Sequence, residues 1–138
     1  MHVKRLMTCV AVGIVVTVAF ADATVTASSS AGGAYTPGAA IDGDPTTYWA
    51  SARYRLPQWI RLDFEQVREV NRITIRQPDN DLYARWRRVA VVLGNGMMAE
   101  TELLSDSEQT ISFPSQRVAW IEVHINRTHD MRPYVGCS

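Results

Sequence analysis

Apolar and polar residues alternate in short runs along most of this chain. In the run from Gln58 to Phe64, Ile60, Leu62 and Phe64 fall on one side of an extended backbone and Trp59, Arg61 and Asp63 on the other, the period of two that marks a half-buried strand. The run from Arg117 to Ile125 alternates likewise, with Ala119, Ile121, Val123 and Ile125 set against Val118, Trp120, Glu122 and His124. Further strands are predicted over 24–28, from about Glu69 to Gln77, and from Arg85 or Trp86 to Leu93, where Val89, Val91 and Leu93 share a face. One more is predicted over 109–113, stopped by Pro114, and the weakly patterned residues 97–104 suit another. Turn signals separate these runs: a short turn near Glu65-Gln66, Pro78-Asp79-Asn80-Asp81, and Gly94-Asn95-Gly96. Residues 28–38, 53–57 and 126–138 read as loops, and Gly38–Ile41 has room for one helical turn. No helical period is sustained over a dozen residues, so many short strands predict an all-β sandwich or jelly roll.

The first residues stand apart from this pattern. A basic start, Met1 to Arg5, leads into an apolar run from Leu6 to Phe20 and then the small-residue sequence Ala21-Asp22-Ala23, the succession expected of a secretory signal peptide over 1–23. That apolar run is short for a membrane span, and no later stretch approaches one, so the mature chain is expected to be secreted and to hold no transmembrane segment. The whole chain of 138 residues then holds one domain, over 24–138. Without Lys4, Arg5 and Asp22, 12 of its 14 basic and 13 of its 14 acidic residues remain. This near-neutral balance argues against nucleic acid as a partner. The remaining cations are all Arg, whose planar forks suit carboxylates and hydroxyl pairs. Cys9 leaves with the leader and Cys137 remains alone, which points to an external partner or an incomplete chain.

Ahead of Trp49 the segment Ala39-Ala40-Ile41-Asp42-Gly43-Asp44-Pro45-Thr46-Thr47-Tyr48 turns tightly. Gly43 supplies a permissive φ, and Asp side chains bond within their own turn. Inward carbonyls, the Asp42 carboxylate and the Thr47 hydroxyl make an all-oxygen set of the kind a hard cation such as Ca²⁺ prefers. Counted from Asp42, the loop lacks the sixth-position Gly and twelfth-position Glu of an EF-hand, since Thr47 and Arg53 stand there. The alternative is a plain turn before a core tryptophan.

Ala40-Ile41-Asp42-Gly43-Asp44 with Thr47 and Trp49, then Trp59 to Phe64, a strand ending near Arg76, Trp86 to Gly96, and Val118-Ala119-Trp120-Ile121 together resemble the discoidin domain, the coagulation factor 5/8 C-type module, which includes galactose-binding-like carbohydrate-binding modules. The resemblance covers most of 24–138. It implies an eight-stranded jelly-roll β-sandwich, a structural Ca²⁺, and a ligand site in the loops at one end. Carried over by position, the metal ligands are the carbonyls of Ala39 and Asp44, the Asp42 carboxylate, and both carbonyl and hydroxyl of Thr47. The family closes that site with a Glu from its last strand. Val135-Gly136-Cys137-Ser138 resembles the approach to that Glu, which implies that the final strand is missing and the domain is truncated at its C-terminus.

Sugar recognition needs an aromatic face for the ring and fixed polar groups for its hydroxyls. The loops offer Tyr54, then Arg76, Asn80, Asp81 and Tyr83, and finally His129 and Tyr134, with Arg76 at the position where sugar-binding members of the family carry an Arg. Ala50 stands where many galactose binders have a polar residue, which speaks against galactose itself. Trp49, Trp59, Trp86 and Trp120 read as core or half-buried packing. No paired carboxylates across a cleft and no Ser/His/Asp arrangement are legible, so a glycoside hydrolase is disfavoured. The expected function is a non-catalytic module for a glycan, with a phospholipid- or protein-binding adhesion module, using Leu56 and Leu82 as apolar tips, as the alternative.

Overall fold

A computed structural model describes residues 23–44, 46–78, 81–106 and 108–137. The expected signal peptide lies outside these residues except for Ala23, as does Asn80. The fold is an all-β jelly-roll sandwich with one turn of 3-10 helix at Pro37–Ala40. Its strands are β1 (Thr24–Ala27), β2 (Trp49–Ala50), β3 (Gln58–Arg76), β4 (Trp86–Leu93), β5 (Met98–Glu102), β6 (Glu108–Thr128) and β7 (Gly136–Cys137). One sheet runs β1-β3-β6-β4-β5 and the other pairs β2 with β7, and every ladder is antiparallel.

β3 and β6 dominate the architecture, and here the sequence pattern misleads. The turn expected at Glu65-Gln66 and the stop expected at Pro114 are both interruptions inside continuous strands. Between the pairs Asp63–Trp120 and Arg68–Val118, residues 64–67 stand opposite residue 119 alone; between Val70–Gln116 and Arg72–Ser112, residues 113–115 stand opposite residue 71 alone. Extra residues on one strand bend the ladder and increase its twist. The first irregularity shifts the inward-facing parity on β6 and the second shifts it on both strands, because side chains alternate along a strand. Ile60, Leu62, Phe64 and Val70 are therefore buried together with Ile73 and Ile75, and Val118 is buried with Ile121, Val123 and Ile125 although it has the opposite parity. Read as unbroken alternation, Val118 shares a face with Trp120, Glu122 and His124; the bulge corrects this. Pro114 is tolerated since the irregular stretch asks no ladder hydrogen bond of it.

Both halves of the β3–β6 ribbon line one core, with Trp49, Trp86, Val89, Val91, Leu93 and Val135. Just past the end of β3, the buried Gln77 accepts a hydrogen bond through Oε1 from the backbone N–H of Trp86 at 2.9 Å. Trp86 opens β4 opposite Thr128, at the other end of β6. The ribbon's far end thus returns to the end where β3 begins, and loops distant in sequence gather there. The tail expected to be loop from Asn126 is strand to Thr128, and Gly136–Cys137 pair with Trp49–Ala50.

On the outer face, Arg61 sits at the centre of a cross-strand cluster, 2.9 Å from Asp63 and 2.8 Å from Glu122, with its guanidinium 4.2 Å from the centre of the Trp120 ring. Burial would raise the Glu122 carboxyl, but hydrogen bonds from His124 and Arg61 outweigh it and hold the group below its ordinary value. Trp49 and Trp86 are fully buried, and Trp59 and Trp120 are half-buried.

Candidate functional site

The sequence leaves 28–36 without strand residues, and the structure packs this loop over the β2–β7 pair. Ala31 N–H donates to the Ala50 carbonyl at 2.8 Å, Ala50 N–H to the Tyr35 carbonyl at 3.3 Å, and the Trp49 indole N–H to the Ser29 carbonyl at 2.8 Å. Gly32 and Gly33 carry φ of 84° and 58°, the left-handed region that glycine enters at little cost, and so turn the loop back on itself. On the facing side, Ala84 N–H donates to the Tyr134 carbonyl and Tyr134 N–H to the Leu82 carbonyl, at 2.8 and 2.9 Å, zipping segments 82–84 and 134 together.

Between these loops lies a cleft of about 500 Å³ with Tyr35, Tyr48, Tyr83 and Tyr134 in its lining, beside Leu82, Ala50 and the Gly32-Gly33 turn. Tyr83 is its floor, 5% exposed, with the Tyr48 ring edge-on at 5.5 Å and the Tyr134 ring tilted at 5.8 Å. Burial, reinforced by the neighbouring tyrosines and Cys137, pushes the Tyr83 phenol up to about 12. Tyr35 and Leu82 are exposed at 44% and 53% and form the lip. Gly136 admits the floor: a Cβ there would lie 2.1 Å from the Trp49 carbonyl oxygen and 2.8 Å from Tyr83 Cε2.

The structure draws several of the expected ligand residues to this end of the sandwich and gives them different surroundings. Tyr83 and Tyr134 meet in the cleft. Asp81, wholly exposed, pairs with Arg132 at 3.0 Å, and Arg132 also reaches Asp130 at 2.9 Å. Tyr54 is tied through its hydroxyl to Thr128 Oγ1 at 2.9 Å, and His129 joins the Leu103 carbonyl through Nε2 at 2.8 Å. These two hold loops together. Arg76 ends β3 beside Glu108 at 3.7 Å and is not among the residues lining the cleft. Tyr35, Tyr48 and Ala50 line it without having been singled out as ligands; the Gly-rich stretch before Tyr35 was the one local sign, since a loop of that length has a task or packs on the domain.

The acidic turn lies next to Tyr48. Gly43 there has φ 80°, Asp42 Oδ1 accepts from Asp44 N–H at 2.9 Å, and Asp44 Oδ1 accepts from the Thr46 hydroxyl and N–H at 2.7 and 2.9 Å. The two Thr46 hydrogen bonds, the hydroxyl's first, hold the Asp44 carboxyl below its ordinary value. Thr47 Oγ1 lies 2.5 Å from Asp42 Oδ2 and 3.1 Å from the Asp44 carbonyl oxygen. Three of the expected donors therefore converge. Ala39 is buried in the 3-10 turn that leads into the loop. Among the described residues no group of three or more His, Cys, Asp or Glu could hold a metal ion, and the atoms that converge in this turn are oxygens of a carboxylate, a hydroxyl and a carbonyl. Cys137, in β7, is fully buried and its thiol is pushed well up by that burial.

A jelly-roll sandwich with an aromatic cleft among its end loops has the fold of the galactose-binding-like class. The chain belongs to the F5/8 type C domain family, which it matches over residues 24–138. It is similar to the family 32 carbohydrate-binding module of NanJ from C. perfringens, solved in complex with galactose, with a TM-score of 0.74 and 19% identity, covering 86% of this chain and 91% of that one. It is also similar to chitosan-binding module 1 of a chitosanase/glucanase from Paenibacillus sp. IK-5, with a TM-score of 0.69 and 26% identity, covering 84% and 90%. Among curated proteins it is 26% identical over 117 residues to an alpha-(1->3)-arabinofuranosyltransferase of Mycobacterium tuberculosis; the match covers 83% of this chain and 8% of that enzyme. Among the described residues no helix is long and apolar enough to cross a membrane.

Proposed function

We propose that this chain is a non-catalytic glycan-binding module of a secreted protein, and that a sugar enters the tyrosine-lined cleft. The observation that carries the reading is the cleft itself: aromatic walls that match the C–H face of a pyranose or furanose, on a scaffold of β-strands, with an Arg–carboxylate pair beside its lip. The sugar ligands named for the galactose-bound and chitosan-binding modules support it. Among the described residues no Asp or Glu lines the cleft, which supports binding without hydrolysis.

A glycan array on the mature domain, followed by titration of the best ligand, tests the reading. Tyr134→Ala is expected to weaken binding about fivefold to tenfold, the scale of a lost aromatic contact, while Tyr134→Trp retains it. Arg76→Ala weakens binding where the ligand reaches the end of β3 and leaves it unchanged where the cleft holds all of it. The bound sugar is recovered uncut after prolonged incubation. Full affinity in a folded Tyr134→Ala variant overturns the assignment of the cleft. Exposed Tyr35, Leu82 and Met131 on these loops favour a second reading as a phospholipid-binding module, which prevails if anionic vesicles bind and no glycan does.

The same proposal assigns a structural Ca²⁺ to the acidic turn, held by the Ala39 and Asp44 carbonyls, the Asp42 carboxylate and the carbonyl and hydroxyl of Thr47. A calcium ion there would fix the loop that carries Tyr48 into the cleft wall.

A further inference from the structure

The tyrosine cleft has a neighbour across a thin wall. Ala31 and Ala50 line the cleft; two residues away on the same segments, Ser29 and Ala52 line a second concavity of about 480 Å³ together with Ser28, Arg53, Arg55 and Gln58. The wall between them is two strips of backbone, joined by the Ala31–Ala50 hydrogen bond and by Ala52 N–H donating to Ser29 Oγ at 3.1 Å. Two residues of extended chain span roughly 7 Å, a distance that a short oligosaccharide can reach across.

The second concavity is built around a buried amide. Gln58, 5% exposed, accepts from the Ser28 and Ser29 hydroxyls through Oε1 at 2.6 and 2.8 Å and donates through Nε2 to the Arg55 carbonyl at 2.7 Å. The buried Ser51 hydroxyl donates to the Arg53 carbonyl at 2.9 Å. Both arginine backbones are thus fixed from below while their side chains are exposed. Arg61, Arg87, Arg88 and Arg132 spend their guanidiniums on carboxylates. Among the described residues Arg53 and Arg55 have no ion-pair partner and no acidic residue lines either concavity.

We infer that the second concavity is an anion subsite continuous with the tyrosine cleft, so that the preferred glycan is an acidic one whose carboxylate or sulfate is held by Arg53 and Arg55. The inference rests on the glycan reading of the cleft. A guanidinium offers paired N–H donors in a fixed fork that fits either oxyanion, and two of them flanking one concavity with no competing carboxylate leave that charge for a ligand.

Affinity electrophoresis of the mature domain in neutral galactan, polygalacturonate and dextran sulfate provides the test, with a folded state confirmed by circular dichroism. The acidic polymers are expected to retard the wild type more than the neutral one, the stronger of the two telling uronate from sulfate ester. Arg53→Gln/Arg55→Gln is expected to lose about tenfold or more in affinity for the acidic polymer, the scale of a charged hydrogen bond, and to keep its affinity for the neutral one. Raising NaCl from about 0.05 to 0.5 M, which shortens the screening length severalfold, removes the same increment from the wild type. Tyr134→Ala loses affinity for both kinds of polymer. If the double variant binds the acidic polymer as the wild type does, or if Tyr134→Ala leaves acidic binding intact, the anion subsite is wrong while the cleft reading stands or falls on the neutral polymer. If no polysaccharide binds, the glycan reading fails and this inference fails with it.

Discussion

At the scale of single residues, the cleft depends on side chains that differ in how far they meet water. Tyr83 is sealed beneath Tyr48 and Tyr134, and its ionisation is expected near 12 when absorbance is followed through alkaline titration. Because the folded value lies above that of an unfolded tyrosine, its contribution to stability is intact below about 10 and is lost as pH rises toward 12. Tyr83→Phe, with no phenol to ionise, is expected to unfold at higher pH than the wild type; an unchanged alkaline midpoint would show that Tyr83 does not drive the transition. Tyr83 and Tyr134 were legible because each follows turn residues in a loop. Tyr48 was not, since its partner ring stands at Tyr83, and nothing local reports a contact that only the folded chain makes. The acidic turn was read more fully, because Asp42, Gly43, Asp44 and Thr47 act on their own neighbours.

At the scale of elements, alternation located strands well and misjudged where they end. A bulge and a turn both break the period of two, and the break near Glu65-Gln66 was read as a turn when the ladder continues beyond it. The two-residue β7 was missed because its strand state comes from pairing with Trp49 and Ala50 and not from any propensity of Gly136 or Cys137. That pairing joins the core to the cleft. Gly136→Ala forces a methyl group against the Trp49 carbonyl and the Tyr83 ring, and is expected to cost about 1–3 kcal/mol by overpacking. Denaturant unfolding measures the loss, and glycan affinity is expected to fall with it as the floor shifts. A variant as stable as the wild type would mean that β2 and β7 part readily.

At the scale of the whole molecule, the proposed Ca²⁺ site would tie stability to calcium concentration. An ion that binds only the folded acidic turn raises the melting temperature with its concentration, reaching about 2.7 kcal/mol of stabilisation at a hundredfold excess over its dissociation constant. Differential scanning calorimetry with Ca²⁺ and with chelator is expected to show this shift in the wild type and its absence in Asp42→Ala; equal shifts in both would move the ion elsewhere. The β3–β6 ribbon carries a different consequence, for the order of events as the chain is made. Gln58 and Leu62 find their partners in Ile125 and Ile121, so the 19-residue β3 emerges well before the 21-residue strand it must lie against. Contacts so far apart in sequence are slow to close. Until they do, β3 has only β1 for a neighbour: the backbone edge that will pair with β6 is open, and Ile60, Leu62, Ile73 and Ile75 lie bare on one face. An edge of that kind is a template for other chains, so the interval between synthesis of β3 and synthesis of β6 is when this protein most needs a chaperone.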